Sequence, residues 1–443
     1  MGQRTGWRRA RPEGVRREAR ARTAAVGAVL SVSAALAAAP AAAAGPAAPT
    51  SYGFATGAET IKGAKGTTDA GLLEPGRSYR SSLSKGAKLY YRIEPDASSN
   101  AYVSVTAVPR AGGKVSLTDG IHVSVQNADG SSCSFQSAIF GAAGSPHPIT
   151  AWGARTTSPP TPVCEGGGPY YVVVERVDAA GSASGAWDLE LTTMTEPRLA
   201  KSGPTSAPST WDSATPTPLT GEAKVREGGA GFARAASVDQ GVWRAGISPG
   251  QTLFYKVPVD WGQQPSAVAE LGSSDGTVTA GGYTVGALEL ALYNPVRADV
   301  EDVSIGYDGS QKTAELAPVP AVAYANRYAA TDRVNGMRFA GWYYIAVHLS
   351  AAVADDFGRG PFGLTLRVRV AGAAQDGPGY AGQPVPHDVF GVTAKDRQTA
   401  AEGGAGGGTA MKVVAAGGIG AGTVVLVVLG VWTAAGRRRV RGW

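Results

Sequence analysis

Apolar and polar residues alternate with period two through most of this chain. Ala101-Tyr102-Val103-Ser104-Val105, Ile121-His122-Val123-Ser124-Val125, Trp187-Asp188-Leu189-Glu190-Leu191 and Phe362-Gly363-Leu364-Thr365-Leu366-Arg367-Val368 are the clearest runs. Side chains of a strand point to opposite faces in turn, so each run reads as a strand with one face on a core. Between the two ends no segment keeps an apolar period of 3.6 over three turns, and no long helix is expected there. The ends follow another pattern. Val413–Ala435 is uncharged, and about 23 apolar or small residues rise roughly 34 Å as a helix, enough to cross a hydrocarbon core of about 30 Å. Thr23–Ala39 is a shorter apolar run.

Charge gives both ends a direction. Arg437, Arg438, Arg439 and Arg441 follow the C-terminal run, and positive charge flanking a span is retained on the cytoplasmic side. Residues 412–435 therefore read as one transmembrane helix, and 436–443 as a basic cytoplasmic tail. At the other end Arg8, Arg9, Arg11, Arg16, Arg17, Arg20 and Arg22 precede the apolar run, and an A-x-A site follows near Ala42-Ala43-Ala44. That is the layout of a secretory signal peptide over residues 1–44. A retained second anchor is the competing reading, and the short Ala-rich run argues against it. The expectation is a single-pass type I membrane protein with an extracellular ectodomain. The formal net charge of +6 belongs to the two ends. No Lys/Arg stripe interleaved with aromatics lies between residues 50 and 400, so nucleic acid is not an expected partner.

An internal repeat sets the domain count. Lys88-Leu89-Tyr90-Tyr91-Arg92-Ile93-Glu94-Pro95-Asp96 matches Thr252-Leu253-Phe254-Tyr255-Lys256-Val257-Pro258-Val259-Asp260. Tyr79-Arg80 and Lys85-Gly86 precede one copy, and Trp243-Arg244 and Pro249-Gly250 precede the other at the same offsets. Further on, Gly168-Pro169-Tyr170-Tyr171-Val172-Val173-Val174 matches Gly341-Trp342-Tyr343-Tyr344-Ile345-Ala346-Val347. Each copy also has a middle strand running into a turn and a last alternating strand. The 62 glycines, 28 prolines and 17% charged residues suit short strands joined by many turns. Two β-sandwich domains are expected, at residues 52–195 and 222–372. A Pro/Ser/Thr-rich linker (196–221) separates them, and a Gly-rich stalk (373–411) leads to the membrane.

These landmarks resemble a known family. The order of a Pro-Gly turn, an aromatic-Tyr-x-Val strand, an alternating strand before an N-x-D-G turn, and a G-x-Tyr-Tyr-x-x-Val strand is similar to the bacterial pre-peptidase C-terminal domain. The resemblance covers about residues 60–195 and 222–372 and implies two tandem jelly-roll-like β-sandwiches. The second copy, from Pro249 to Gln263, also looks like a module of membrane-anchored actinobacterial surface proteins. Some of those carry a von Willebrand factor A domain, and neither that domain nor a peptidase is found in this sequence.

The chemistry-bearing residues are few. Cys133 and Cys164 are the only cysteines, and in an exported chain they are expected to pair. The disulfide would tie down Ser134–Val163, which holds five prolines and shows little strand pattern. His122, His147, His348 and His387 are scattered without metal spacing, and no nucleophile elbow or phosphate loop occurs. Asp96-Ala97-Ser98-Ser99-Asn100 imitates a metal-adhesion motif but stands between strands, where a polar turn is the plainer reading. Asp299, Glu301, Asp302 and Asp308 are an acidic group that would suit calcium or a solvated loop. In Tyr90-Tyr91 and Tyr170-Tyr171 one ring should face the core and its neighbour the surface, with a carbohydrate-stacking row as the alternative. Gly418 and Gly422 form a G-x-x-x-G pair that would let two spans approach closely. The expected function is a non-catalytic surface module without cofactor, binding an envelope protein or cell-wall glycan; the alternative is a structural spacer.

Overall fold

The computed structural model describes residues 52–403, apart from 111, 143, 158, 218 and 275–281. The expected signal peptide, the span with Gly418 and Gly422, and the closing Arg437, Arg438, Arg439 and Arg441 lie outside the described residues. Among the described residues no helix is long and apolar enough to cross a membrane.

Strands dominate. The first copy contributes β1 (Glu59–Thr60), β2 (Gly71–Leu72), β3 (Ser78–Leu83), β4 (Lys88–Ile93), β5 (Asn100–Val108), β6 (Gly120–Gln126), β7 (Ser132–Ile139), β8 (Ile149–Arg155), β9 (Tyr170–Val177) and β10 (Trp187–Glu196). The second contributes β11 (Lys224–Val225), β12 (Ala236–Ser237), β13 (Gly241–Ile247), β14 (Thr252–Val259), β15 (Gln264–Leu271), β16 (Thr284–Tyr293), β17 (Asp299–Tyr307), β18 (Lys312–Glu315), β19 (Gly341–Leu349) and β20 (Phe362–Ala371). The sheet orders are β1-β3-β10-β5-β8 and β2-β4-β9-β6-β7 in module 1, and β11-β13-β20-β15-β18 and β12-β14-β19-β16-β17 in module 2. Each order in module 2 is that of module 1 advanced by ten. The sequence repeat is thus a repeat of topology, down to the short parallel strand at one edge of each sheet.

Alternation explains each sandwich. Ala101, Val103, Val105 and Ala107 of β5 point inward to meet Ile121, Val123 and Val125 of β6, with Tyr91 and Tyr170 in the same core. The equivalent Tyr255 and Tyr343 fill module 2. The buried hydroxyls find partners, Tyr91 on Ser81 Oγ at 2.8 Å and Tyr343 on the Phe339 carbonyl at 2.8 Å, as buried tyrosines require. Gly86 and Gly250, at matching turns, have φ of +63° and +81°, a backbone region that favours glycine.

The modules meet face to face. Every residue of β5 is buried, because Tyr102, Ser104, Thr106 and Val108 on its outward side are covered by module 2. The outward face of module 1's β1-β3-β10-β5-β8 sheet packs on the outward face of module 2's β12-β14-β19-β16-β17 sheet. Tyr102, Ala154 and Met194 form one apolar cluster with Val296, Ala298, Phe339 and Phe390. Val108 and Tyr52 form another with Phe232, Phe254 and Ala346. Four layers of sheet result.

Three expectations are corrected by the structure. Residues 373–403 are not a free stalk. Val385 pairs with Thr195 of β10, Phe390 stacks on Phe339 at 4.6 Å, and the helix Ala394–Glu402 hydrogen-bonds Trp342 through Asp396 at 3.0 Å. The buried Phe390 and the partly buried Tyr380 and Val389 supply the packing that the surrounding Gly and Pro obscured, and the Gly-rich run begins only after the helix. The linker likewise does not hang free. The Asp212 carbonyl accepts from Gln264 at 2.9 Å and the Leu219 carbonyl from Arg367 at 2.6 Å, laying this stretch across the outer face of β15 and β20. Thirdly, Ser134–Val163 holds most of β7 and all of β8; β7 is serine-rich and at a sheet edge, which masked its alternation.

Candidate functional site

Each module has one sheet of the β2-β4-β9-β6-β7 type, and the two copies have different fates. In module 2 that sheet's outward face carries Phe254, Tyr344, Ala346, Ala291, Tyr293 and His348, and it is the face covered by module 1. In module 1 the corresponding face is open. Register places Tyr90, Val173, Ser124 and Phe135 side by side across β4, β9, β6 and β7. The adjacent row holds Arg92, Tyr171 and Gln126, and the row on the other side Lys88, Glu175, His122 and Ser137. Phe135 is 58% exposed and Ile139 54%, while the His122 ring lies 5.0 Å from Phe135. Two ion pairs, Lys88–Glu175 at 3.7 Å and Arg92–Glu94 at 3.5 Å, sit on this face in solvent and contribute little by themselves. Chemically this face carries the rings of Tyr90 and Phe135 at its two sides, with Tyr171 in the adjacent row and the buried Val173 and Ser124 between the first two.

The covered counterpart is held by buried charge. Glu190 of β10 meets Arg297 at 2.6 Å and accepts from Tyr52 at 3.2 Å and the Ala55 amide at 2.8 Å. Glu196 accepts two bonds from Arg327, at 2.7 and 3.1 Å, and one each from Asn100, Tyr102 and Tyr380. Burial alone would raise the Glu196 carboxyl, but Arg327 and these donors hold it below its ordinary value. Arg338 lies over the rings of Tyr102 and Trp152 and forms no ion pair among the described residues, and burial lowers its proton affinity. Between the modules two clefts remain, of about 490 Å³ beside Tyr52, Arg110, Lys114 and Asp355, and about 340 Å³ beside Glu289, Asp299 and Asp302.

Cys133 and Cys164 are bonded, with Cα atoms 5.7 Å apart. His122 is on the open face, His147 and His348 meet between the modules, and His387 is exposed beside Asp388. Asp96 accepts from the amides and hydroxyls of Ser98 and Ser99 and forms a polar turn. The acidic quartet is dispersed. Glu301 takes Arg333 in a two-bond pair and Asp308 takes Lys312, while Asp299 and Asp302 face the smaller cleft. Asp299 keeps an exposed edge, yet its carboxyl is pushed up to about 8, first by desolvation in the cleft and then by Asp302, Glu289, Glu301 and Asp332. Among the described residues no group of three His, Cys, Asp or Glu side chains could hold a metal ion. Glu190, Glu196, Arg297, Arg327 and Arg338 escaped sequence reasoning. One signal was available: Asn100–Val108 has no charged residue, so neither side of that strand was suited to water.

No protein-family model and no curated protein matches the chain. Among solved structures, the pre-peptidase C-terminal domain of collagenase from Bacillus anthracis is 16% identical, with 28% of this chain and 94% of that chain covered at a TM-score of 0.19. The tandem CBM22-1–CBM22-2 domains of Paenibacillus barcinonensis Xyn10C are 10% identical, with 70% and 95% covered at 0.17. Tripeptidyl peptidase 2 is 9% identical, with 75% and 28% covered at 0.21. Superpositions this loose assign no residue and no activity.

Proposed function

We propose that this chain is a non-catalytic, membrane-anchored surface scaffold that presents one open β-sheet face to an envelope protein or cell-wall glycan. The observation that carries the reading is the unequal fate of the duplicated face: covered in module 2, bare in module 1, with Tyr90, Tyr171 and Phe135 on it. Aromatic rings offer contact area at little conformational cost, and the Gln126 and Ser137 side chains beside them offer hydrogen bonds. The signal peptide and terminal span read from sequence put this face outside the cell. The spacer alternative draws on the rigid union of the modules. The test is retention of the purified protein on insoluble cell-wall glycan and on immobilised envelope proteins, compared with a Tyr90→Ser/Phe135→Ser variant. Binding that falls at least tenfold in the variant supports the open face; no retention by either form leaves the spacer reading.

A further inference from the structure

Two buried imidazoles, one from each module, are stacked where the modules meet. His147, between Pro146 and Pro148, lies 4.4 Å from His348 of β19 with ring planes 27° apart. Both residues are more than nine-tenths buried. Their hydrogen bonds fix the protons. His348 Nδ1 lies 3.1 Å from the Gln251 carbonyl and 3.0 Å from the Thr252 hydroxyl oxygen; a carbonyl only accepts and a hydroxyl oxygen can, so Nδ1 carries the proton and shares it between them. In the neutral ring Nε2 is then a lone pair, and it accepts from the Ser145 hydroxyl of module 1 at 3.0 Å. The same Ser145 oxygen accepts the Ala351 amide of module 2 at 3.0 Å. His147 Nδ1 donates to the Ser145 carbonyl at 2.8 Å, and its Nε2 faces Glu289 at 3.6 Å.

We propose that this contact is an acid-operated latch: protonating the His348 ring parts the two modules at this edge while each sandwich stays folded. The charge bookkeeping is asymmetric. Glu289 is the cross-strand neighbour of His348 but turns its carboxylate to His147, so one carboxylate serves two rings. A proton on His348 lies 4.4 Å from the His147 ring in a buried contact whose one carboxylate faces the other ring, and it turns Ser145 from donor to acceptor. Parting the modules relieves both, because the Ser145 and His147 that enclose His348 belong to the other module. Consistent with this, burial first and His147 second hold the His348 ring well below its ordinary value of 6.5.

The other charged groups around the contact act differently. Arg110, Lys114 and Asp355 border the larger cleft on one side of His147. Asp299 and Asp302 border the smaller cleft on the other side, and both carboxyls are raised. The charges repelling Asp299 (Asp302, Glu289, Glu301 and Asp332) are all in module 2, so that repulsion persists when the modules part. The linkage sign for His348 follows. A histidine kept neutral by the closed state is neutral at no cost above pH 6.5, and below it the closed-to-open ratio falls up to tenfold per pH unit.

The Ala351 amide is the reporter, because its acceptor lies in the opposite module. Hydrogen exchange of the full chain, corrected for intrinsic rate, is followed from pH 7.5 to 4.5 on the segment holding Ala351 and on β14. The expected result is loss of protection at Ala351 below pH 6.5 with β14 still protected, and a midpoint at least one pH unit lower in His348→Gln. An Asp299→Asn/Asp302→Asn variant should keep the acid transition. Carbon-13 histidine titration of the unaltered chain is the second measurement, with His348 changing charge at the same pH as the Ala351 amide opens. The latch is overturned by unchanged Ala351 protection down to pH 4.5, by simultaneous loss at β14, or by a transition that the His348 variant keeps and the aspartate variant removes.

Discussion

Replacing Glu196 by alanine tests whether the modules are one thermodynamic body. The side chain is fully buried and accepts five hydrogen bonds: two from Arg327 and one each from Asn100, Tyr102 and Tyr380. Its removal takes the carboxylate from the Arg327 guanidinium and removes a negative charge that acts on the buried Arg338. Breaking a buried pair by deleting one partner costs about 3–5 kcal/mol. If the roughly 350 described residues melt together, the unfolding entropy is about 0.7 kcal/mol/K, and a 4 kcal/mol loss lowers Tm by about 5 °C. Differential scanning calorimetry should show a single transition in the native protein and the same single transition, shifted, in Glu196→Ala. Acid offers a control. The folded Glu196 carboxyl lies below its ordinary 4.5, so its contribution is complete above that pH and fades as pH falls through the folded value; the variant should lack this loss. Two separate transitions with unmoved midpoints would refute the rigid union, because Glu196 would then be holding nothing that either sandwich needs.

Other consequences are equally open to measurement. Converting Cys133 and Cys164 to alanine should lower stability by about 3–4 kcal/mol, the loop-entropy value for a bridge across 31 positions, and denaturant midpoints under oxidising conditions check it. Phe390→Ala removes a ring stacked on Phe339 and edge-on to Tyr102; a cost of about 3–5 kcal/mol and new protease cleavage within 373–403 should follow, and an unchanged digestion pattern would contradict the docked segment. Tyr90→Ser/Phe135→Ser, on the open face, should shift Tm by under about 2 °C, in contrast to its effect on binding. Gly422→Ile should reduce crosslinked dimer in membranes if the G-x-x-x-G pair brings two spans together, and an unaltered yield removes that idea.

The sandwiches were legible because alternation records which side of a strand is dry. Tyr91 and Tyr170 are buried while Tyr90 and Tyr171 are only partly covered, in keeping with a side-chain period of two. The repeat then carried strand order from one copy to the other. The union of the modules was not legible, for two physical reasons. Glu190 alternates with leucines as a residue of a solvated face would, Glu196 ends a threonine-rich run, and only their arginine partners, more than 100 positions away, make them interior groups. Composition also misleads in segments that dock with a few anchors. Between 373 and 403 Tyr380 and Phe390 do the packing amid Gly, Pro and polar residues. The open face is half visible in the sequence: a period of two turns one tyrosine of each pair outward, whereas the exposed Phe135 stands on a serine-rich strand whose alternation is hidden.

The contact between the modules joins unlike faces, and this gives the molecule a direction. Each sandwich has a face of either kind; one of each is used internally, and of the remaining two the outer face of β15 and β20 lies under residues from Asp212 to Leu219. A head-to-tail contact can in principle be repeated without end, one unit adding to the next. Here growth is blocked at module 2 and permitted at module 1. A further sandwich of this kind, on the same chain or another, can extend the stack only from the side of Tyr90 and Phe135. Copies of the chain cannot polymerise through this contact until the segment over module 2 is displaced.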